Sequence, residues 1–185
     1  ELDESVARAV GGAAVEVLGV VEGPGAVVVG RDMRPSSEPL AHAFAEGVTA
    51  RGADVVHIGL ASTDQLYFAS GHLGMAGAMF TASHNPAQYN GIKLCRAGAA
   101  PVGQDTGLAE IRRLAEADSF PVAAQAGAVE HRDVLGDYAA FLAALVPLGA
   151  SRPLSVVVDA GNGMGGHTVP ALLAGLPLTI TPLFF

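Results

Sequence analysis

The chain has 185 residues, half of them hydrophobic, with 24 Gly, no Trp, one Cys, and 18 acidic against 10 basic side chains, a formal net charge of −8. That balance argues against a surface built to grip nucleic-acid phosphates, and a single thiol excludes an intrachain disulfide and suits a reducing compartment. No apolar run reaches about 18 residues and no basic, then apolar, leader is visible, so neither a membrane span nor a signal peptide is expected and a cytoplasmic location follows by inference from absence.

Length allows one large domain or one domain plus a piece of another. The chain opens on Glu1 rather than Met, which places its expected natural start upstream. Residues 3–18 set apolar groups at 6, 9/10, 13/14 and 17 behind an acidic first turn, the spacing of a helix. Gly11 and Gly12 weaken that helix, so close packing against a neighbour is expected there.

Gly23-Pro24-Gly25 reads as a turn, and Ala26 to Val29 as a buried central strand. The strand runs into Gly30-Arg31-Asp32-Met33-Arg34-Pro35, a polar loop, and then into a helix capped by Ser36 or Ser37 that carries Leu40, Phe44 and Val48 toward Arg51 and Gly52. Two arginines around an aspartate at a strand's carboxyl end suit phosphate recognition, because guanidinium forks match phosphate oxygens. Asp32 could equally pair with Arg31 or Arg34 to brace the loop. Asp54 to Ile58 is the next strand, with His57 as a core or edge histidine, followed by a helix from Thr63, a candidate cap. No histidine spacing resembles a metal site.

The apolar run Met75 to Phe80 leads into Thr81-Ala82-Ser83-His84-Asn85-Pro86, with Tyr89-Asn90-Gly91-Ile92-Lys93 close behind. Asn85-Pro86 and Asn90-Gly91 are turn dipeptides bracketing the loop. Pro86 pushes Asn85 out of the helical region, so Ser83 is expected in an extended, defined loop. Ile92 to Cys95 alternates like a short strand and fixes Lys93 on one face, ten positions from Ser83 across the loop. The stretch reads either as an ordinary strand connection or as the display of a reactive serine. Cys95 reads as a buried structural thiol.

Ala97 to Gly103 should turn, and Asp105 to Ala117 should form a helix whose Glu110/Arg113 and Arg112/Glu116 pairs mark a solvated face. Residues 118–130 read as a surface loop. Asp133 to Val146 repeats Val134, Tyr138, Phe141, Leu142 and Leu145 on one helical face. Pro147, Gly149 and Ser151-Arg152-Pro153 end it, and a domain boundary is placed at 148–153, dividing the chain into 1–149 and 150–185. Leu154 to Val158 begins a new strand followed by Asp159-Ala160-Gly161-Asn162-Gly163-Met164-Gly165-Gly166, a dinucleotide fingerprint in form. The acidic residue that would hold a ribose beyond the second strand, Leu178 to Pro182, is missing, because no Asp or Glu follows Asp159. Close packing of a helix on a sheet explains these glycines without a ligand.

Thr81-Ala82-Ser83-His84-Asn85-Pro86 followed by Tyr89-Asn90-Gly91-Ile92-Lys93 resembles the phosphoserine loop of the α-D-phosphohexomutases, the phosphomannomutase and phosphoglucomutase family. Gly30-Arg31-Asp32-Met33-Arg34 and Val156-Val157-Val158-Asp159-Ala160-Gly161-Asn162-Gly163 resemble the same family's signatures for its first domain and the opening of its second. The resemblance runs from about 26 to 174. It implies a three-layer α/β/α domain with a mixed sheet, followed by the first part of a second similar domain. It also implies that Ser83 is phosphorylated, passing its phosphoryl group to a hexose phosphate and recovering one from a hexose 1,6-bisphosphate. Lys93 would transfer the proton of the sugar hydroxyl and His84 would hydrogen-bond nearby. Arg31, Arg34 and Asn85 would contact substrate or phosphate, and Mg2+ would meet the Ser83 phosphate.

Three parts of the family pattern do not occur: the Asp-Gly-Asp-x-Asp metal loop, the Tyr-Asp-[Ile or Val]-Arg-Gly segment, and the third and fourth domains. The chain alone is therefore expected to be an incomplete portion without turnover, and apolar surface bared by the missing domains to drive self-association. Two readings compete: a serine hydrolase using Ser83 and His84, and a non-catalytic phosphosugar-binding or interaction domain.

Overall fold

The structure, a computed structural model, describes residues 2–20, 25–149 and 151–185; the expected Gly23-Pro24 turn lies outside them. α1 (Glu4–Val17) starts where the Asp3 carboxylate accepts the Val6 N–H. β1 (Ala26–Arg31), α2 (Ser37–Ala50), β2 (Asp54–Leu60), α3 (Thr63–Leu73) and β3 (Ala76–Phe80) follow as two strand–helix–strand units. β4 (Ile92–Arg96) and β5 (Ala100–Pro101) then return antiparallel, and α4 (Leu108–Ala117), β6 (Val129–His131) and α5 (Leu135–Leu145) complete this part. β7 (Leu154–Asp159), α6 (Gly165–Leu172) and β8 (Leu178–Leu183) form a parallel βαβ unit with its own two-stranded sheet.

The larger sheet runs β5-β4-β3-β1-β2-β6, parallel at its centre and antiparallel at the β3–β4–β5 edge. Alternation of side chains splits the interior in two. Val27, Val29, Val55, Ala78 and Phe80 face Ala13, Phe44, Val48 and Ile111 of α1, α2 and α4. Val28, Ile58 and Met79 face Leu66 and Ala69 of α3, together with Val134. A mixed sheet with apolar layers on both faces is the expected α/β/α sandwich, and it needs the fully apolar strands that β1 and β3 supply.

Gly11 and Gly12 lie where the expected close packing occurs. A methyl on Gly11 would overlap the Phe44 carbonyl of α2, and one on Gly12 would press on the Phe120 ring. Their cost in helix propensity is offset by an approach that a larger residue would block.

Four local expectations change. Ser62, not Thr63, caps α3 by accepting the Gln65 N–H. Neither Ser36 nor Ser37 caps α2 through its side chain, because Ser37 Oγ instead donates to Asp32 Oδ1 at 2.6 Å. The 118–130 stretch runs into β6 at Val129, and the three residues of that strand are too few to show alternation and are recruited by the open edge of β2. α5 buries Tyr138, with Val134 just ahead of it, but leaves Phe141 and Leu145 exposed. Among the described residues no helix is long and apolar enough to cross a membrane.

His57 is buried between the rings of His42 and His131, with centroids at 5.5 and 5.4 Å. Burial pushes its imidazole down to about 4, and the neighbouring His42, His131 and Arg31 push the same way. The unfolded chain therefore binds a proton near pH 6.5 that the folded chain refuses until about pH 4. This contribution is complete above pH 6.5 and is lost as pH falls through that window. Chemical denaturation from pH 7 to 4 should show His57→Gln with a shallower loss of stability than the parent.

Candidate functional site

β1 connects through α2 to β2 on one side, whereas β3 lies on β1's other side and continues to β4, so the connections leaving β1 and β3 diverge. A crevice at the carboxyl ends of parallel strands at such a switch point is where open α/β sheets receive ligands. A cavity of about 590 Å3 opens there, lined by the 32–35 turn, the start of α3, the 81–87 loop and Gly161 to Met164 of the loop after β7. The starts of α3 and α6 both lie at this cavity, and the positive ends of their helix dipoles give it the sign that suits an anion.

The 81–91 loop consists of two successive turns, closed by Asn85 N–H to Ala82 O and Tyr89 N–H to Pro86 O, each at 3.0 Å. Ser83 is exposed at the cavity with φ 54°, in the left-handed region, so the expectation of an extended Ser83 is corrected. The restriction that Pro86 imposes reaches Asn85 and not two residues further back. Ser83 instead follows its own hydrogen bonds: its N–H donates to Thr81 Oγ1 at 3.1 Å and its carbonyl accepts from Arg34 at 2.8 Å. A non-glycine residue held at positive φ stores of order 1 kcal/mol that the surroundings must hold in place.

The surroundings are the β1–α2 turn. Arg34 and Asp32 are almost wholly buried, with side chains 11 % and 10 % exposed. Arg34 Nε donates to Asp32 Oδ2 at 3.1 Å, Nη1 to the carbonyls of Pro86 and Tyr89 at 2.8 and 3.1 Å, and Nη2 to those of Ser83 and Asn85, both at 2.8 Å. Asp32 also accepts the Arg34 N–H and the Ser37 hydroxyl. Asn90 ties the far end of the loop to the start of α2, its Nδ2 donating to Ser36 Oγ and Ser37 Oγ, each at 2.9 Å.

His84 is exposed, with Nδ1 3.4 Å from Ser83 Oγ, long for a hydrogen bond. No carboxylate hydrogen-bonds to His84 among the described residues, so the pair lacks the orienting group that a hydrolase triad requires. Asn85 lines the cavity. Lys93 stands directly opposite Met79 in the β3–β4 ladder and is exposed, so it shares the sheet face of Met79, which lines the cavity. Arg31 projects to the other face, against α2, where it pairs with Glu38 at 3.0 Å, and it does not line the cavity. Cys95 is buried beneath Gly77, and burial pushes its thiol up.

Asn90, Ser37 and Thr81 were not separable by sequence reasoning, since a turn Asn and a polar helix start look alike whether or not they meet across 50 residues. The Gly161 to Met164 loop joins the cavity wall without any fingerprint ligand, and Gly166 is explained by Phe185, whose backbone a methyl there would strike. The described residues do not by themselves fit a Mg2+ ion. They hold no group of three His, Cys, Asp or Glu side chains able to take a metal, and Asp32 at the cavity is engaged by Arg34 and Ser37.

The family model described as Phosphoglucomutase/phosphomannomutase, alpha/beta/alpha domain I, matches residues 1–122. The chain belongs to the phosphoglucomutase/phosphomannomutase family. A phosphomannomutase of Escherichia coli is 44 % identical over 188 residues, covering 97 % of this chain and 40 % of that protein. A protein of Xanthomonas campestris pv. campestris (strain B100) named Phosphohexose mutases is 40 % identical over 185 residues, covering all of this chain and 40 % of its own length. The crystal structure of a phosphoglucomutase/phosphomannomutase family protein from Burkholderia thailandensis superposes with a TM-score of 0.84 at 33 % identity, over 99 % of this chain and 40 % of that one. The chain thus spans about two-fifths of the length of these relatives.

The Asn90 bridge has a measurable weight. Asn90→Ala removes the donor shared by Ser36 and the fully buried Ser37, and should lower unfolding stability by about 1–2 kcal/mol in urea titration.

Proposed function

We propose that this chain is the phosphoserine-bearing portion of a hexose phosphate mutase, with Ser83 as the phosphoryl carrier and residues 150–185 as the opening of a second domain. The observation that carries the reading is Ser83 itself, exposed at the switch-point cavity in a left-handed conformation within the family-matched region. The relatives' names support the substrate class, a mannose- or glucose-type hexose phosphate.

In this reading phospho-Ser83 meets a hexose 6- or 1-phosphate in the cavity. The free sugar hydroxyl attacks phosphorus, a new sugar O–P bond forms and the Ser83 Oγ–P bond breaks. Lys93 takes the hydroxyl proton, and a proton is returned to the serine oxygen. The resulting hexose 1,6-bisphosphate turns over and gives its other phosphoryl group back to Ser83, leaving the isomeric monophosphate. A phosphoserine carries roughly −1.5 to −2 charges, so positioning and charge neutralisation matter more than covalent assistance. His84 and Asn85 supply hydrogen bonds beside the phosphate. A Mg2+ ion would meet the Ser83 phosphate and draw its other ligands from outside the described residues.

Intact mass of the full-length protein before and after incubation with a hexose 1,6-bisphosphate, with peptide mapping, tests the assignment. One added phosphate should map to Ser83 and vanish in Ser83→Ala. Lys93→Met should accept that phosphate at the same residue but only slowly, and kcat should fall by about 10²–10⁴-fold. Phosphate elsewhere, or an alanine variant that still carries it, would leave Ser83 an ordinary loop residue, and no added phosphate on the full-length protein would favour a non-catalytic phosphosugar-binding domain.

A further inference from the structure

Arg34 sits at the cavity, yet its guanidinium has no unengaged N–H to offer a phosphate. Its Nε bond goes to Asp32, and its four Nη bonds go to the carbonyls of Ser83, Asn85, Pro86 and Tyr89. A guanidinium has five N–H donors in one plane, so every one is engaged, and four loop carbonyls are drawn toward a single rigid fork. Those carbonyls belong to an otherwise exposed loop, and the inward turn of the Ser83 carbonyl accompanies its left-handed backbone. The fork is itself fixed. Asp32 is buried, accepts both the backbone and the side chain of Arg34, and is held from behind by Ser37.

We propose that Arg34 is a positioning residue that holds Ser83 in its left-handed conformation, and so aims the serine oxygen into the cavity, rather than a ligand for any substrate phosphate. The proposal rests on the reading of Ser83 as phosphoryl carrier. Lysine cannot substitute, because a compact ammonium has three donors and no plane with which to gather four carbonyls. A phosphate ligand and a loop brace differ in what their loss does. Removing a ligand weakens substrate binding. Removing the brace leaves binding in place and misdirects the reacting oxygen, for which a displacement near 1 Å costs roughly 100-fold in rate.

The experiment uses the full-length protein with Arg34→Lys and Arg34→Ala, their folding checked by thermal melting. Steady-state kinetics with a hexose 1-phosphate is paired with amide hydrogen exchange of the unphosphorylated proteins. Both variants should lose roughly 100-fold in kcat with KM within about threefold of the parent. Amides of residues 83–89 should exchange faster while those of β1 and β3 do not. Added guanidinium ion should restore part of the Arg34→Ala loss. A rise in KM at unchanged kcat, or unchanged exchange in the 83–89 loop, would overturn the positioning role alone. Full activity in Ser83→Ala would overturn the underlying reading and the proposal with it, an outcome separate from either of those.

Discussion

The Arg34 guanidinium joins two connections that leave the sheet from neighbouring strands in diverging directions. Without a link of this kind the 81–91 loop would be an exposed segment of small and polar residues whose carbonyls face water. With it, four of those carbonyls converge on one buried cation, and that cation is neutralised by an equally buried Asp32. A buried ion pair of this sort is a poor device for stability alone, since desolvation offsets much of its attraction. Its worth lies in specifying one loop shape, because an unpaired Asp32 or Arg34 in that position would be strongly unfavourable. The loop is thereby made part of the scaffold, even though every residue from Ser83 to Tyr89 is exposed.

The rest of the fold supports that junction. β1 and β3 are apolar on both faces and pair in register along their length, so their carboxyl ends deliver Arg31 and Phe80 side by side and the two turns begin adjacent to one another. The Asp32 N–H donates to the Phe80 carbonyl at 2.9 Å, which extends the pairing one step into the turn. α1 can lie close enough to α2 to cover this sheet because Gly11 has no side chain to meet Phe44. The core therefore reaches the cavity through an unbroken path of strand pairing.

Much of this was legible in the sequence, and the parts that were not share a physical character. The strands β1, β2 and β3 stood out because fully buried strands are apolar without alternation, and the helices α1, α2 and α4 because their periodicity is helical. The loop motif alone singles out Ser83, His84, Asn85 and Lys93. What could not be read was long-range polar pairing. Arg31 and Arg34 look equivalent around Asp32, yet strand alternation sends Arg31 to Glu38 on one face while Arg34 turns back under the loop. The left-handed Ser83 was invisible for a related reason, since its carbonyl is met by a partner 49 positions away. β6 and the cluster of His42, His57 and His131 also depend on residues far apart in the chain.

The serine held by this junction is proposed to carry the phosphoryl group on the reaction path. The most direct measurement is a single-turnover transfer: full-length protein labelled with radioactive phosphate on Ser83 is isolated, mixed with unlabelled hexose 1-phosphate, and quenched at millisecond intervals. Label should leave the protein and appear in hexose bisphosphate at least as fast as steady-state turnover. Label that stays on the protein while hexose phosphate is converted would contradict it.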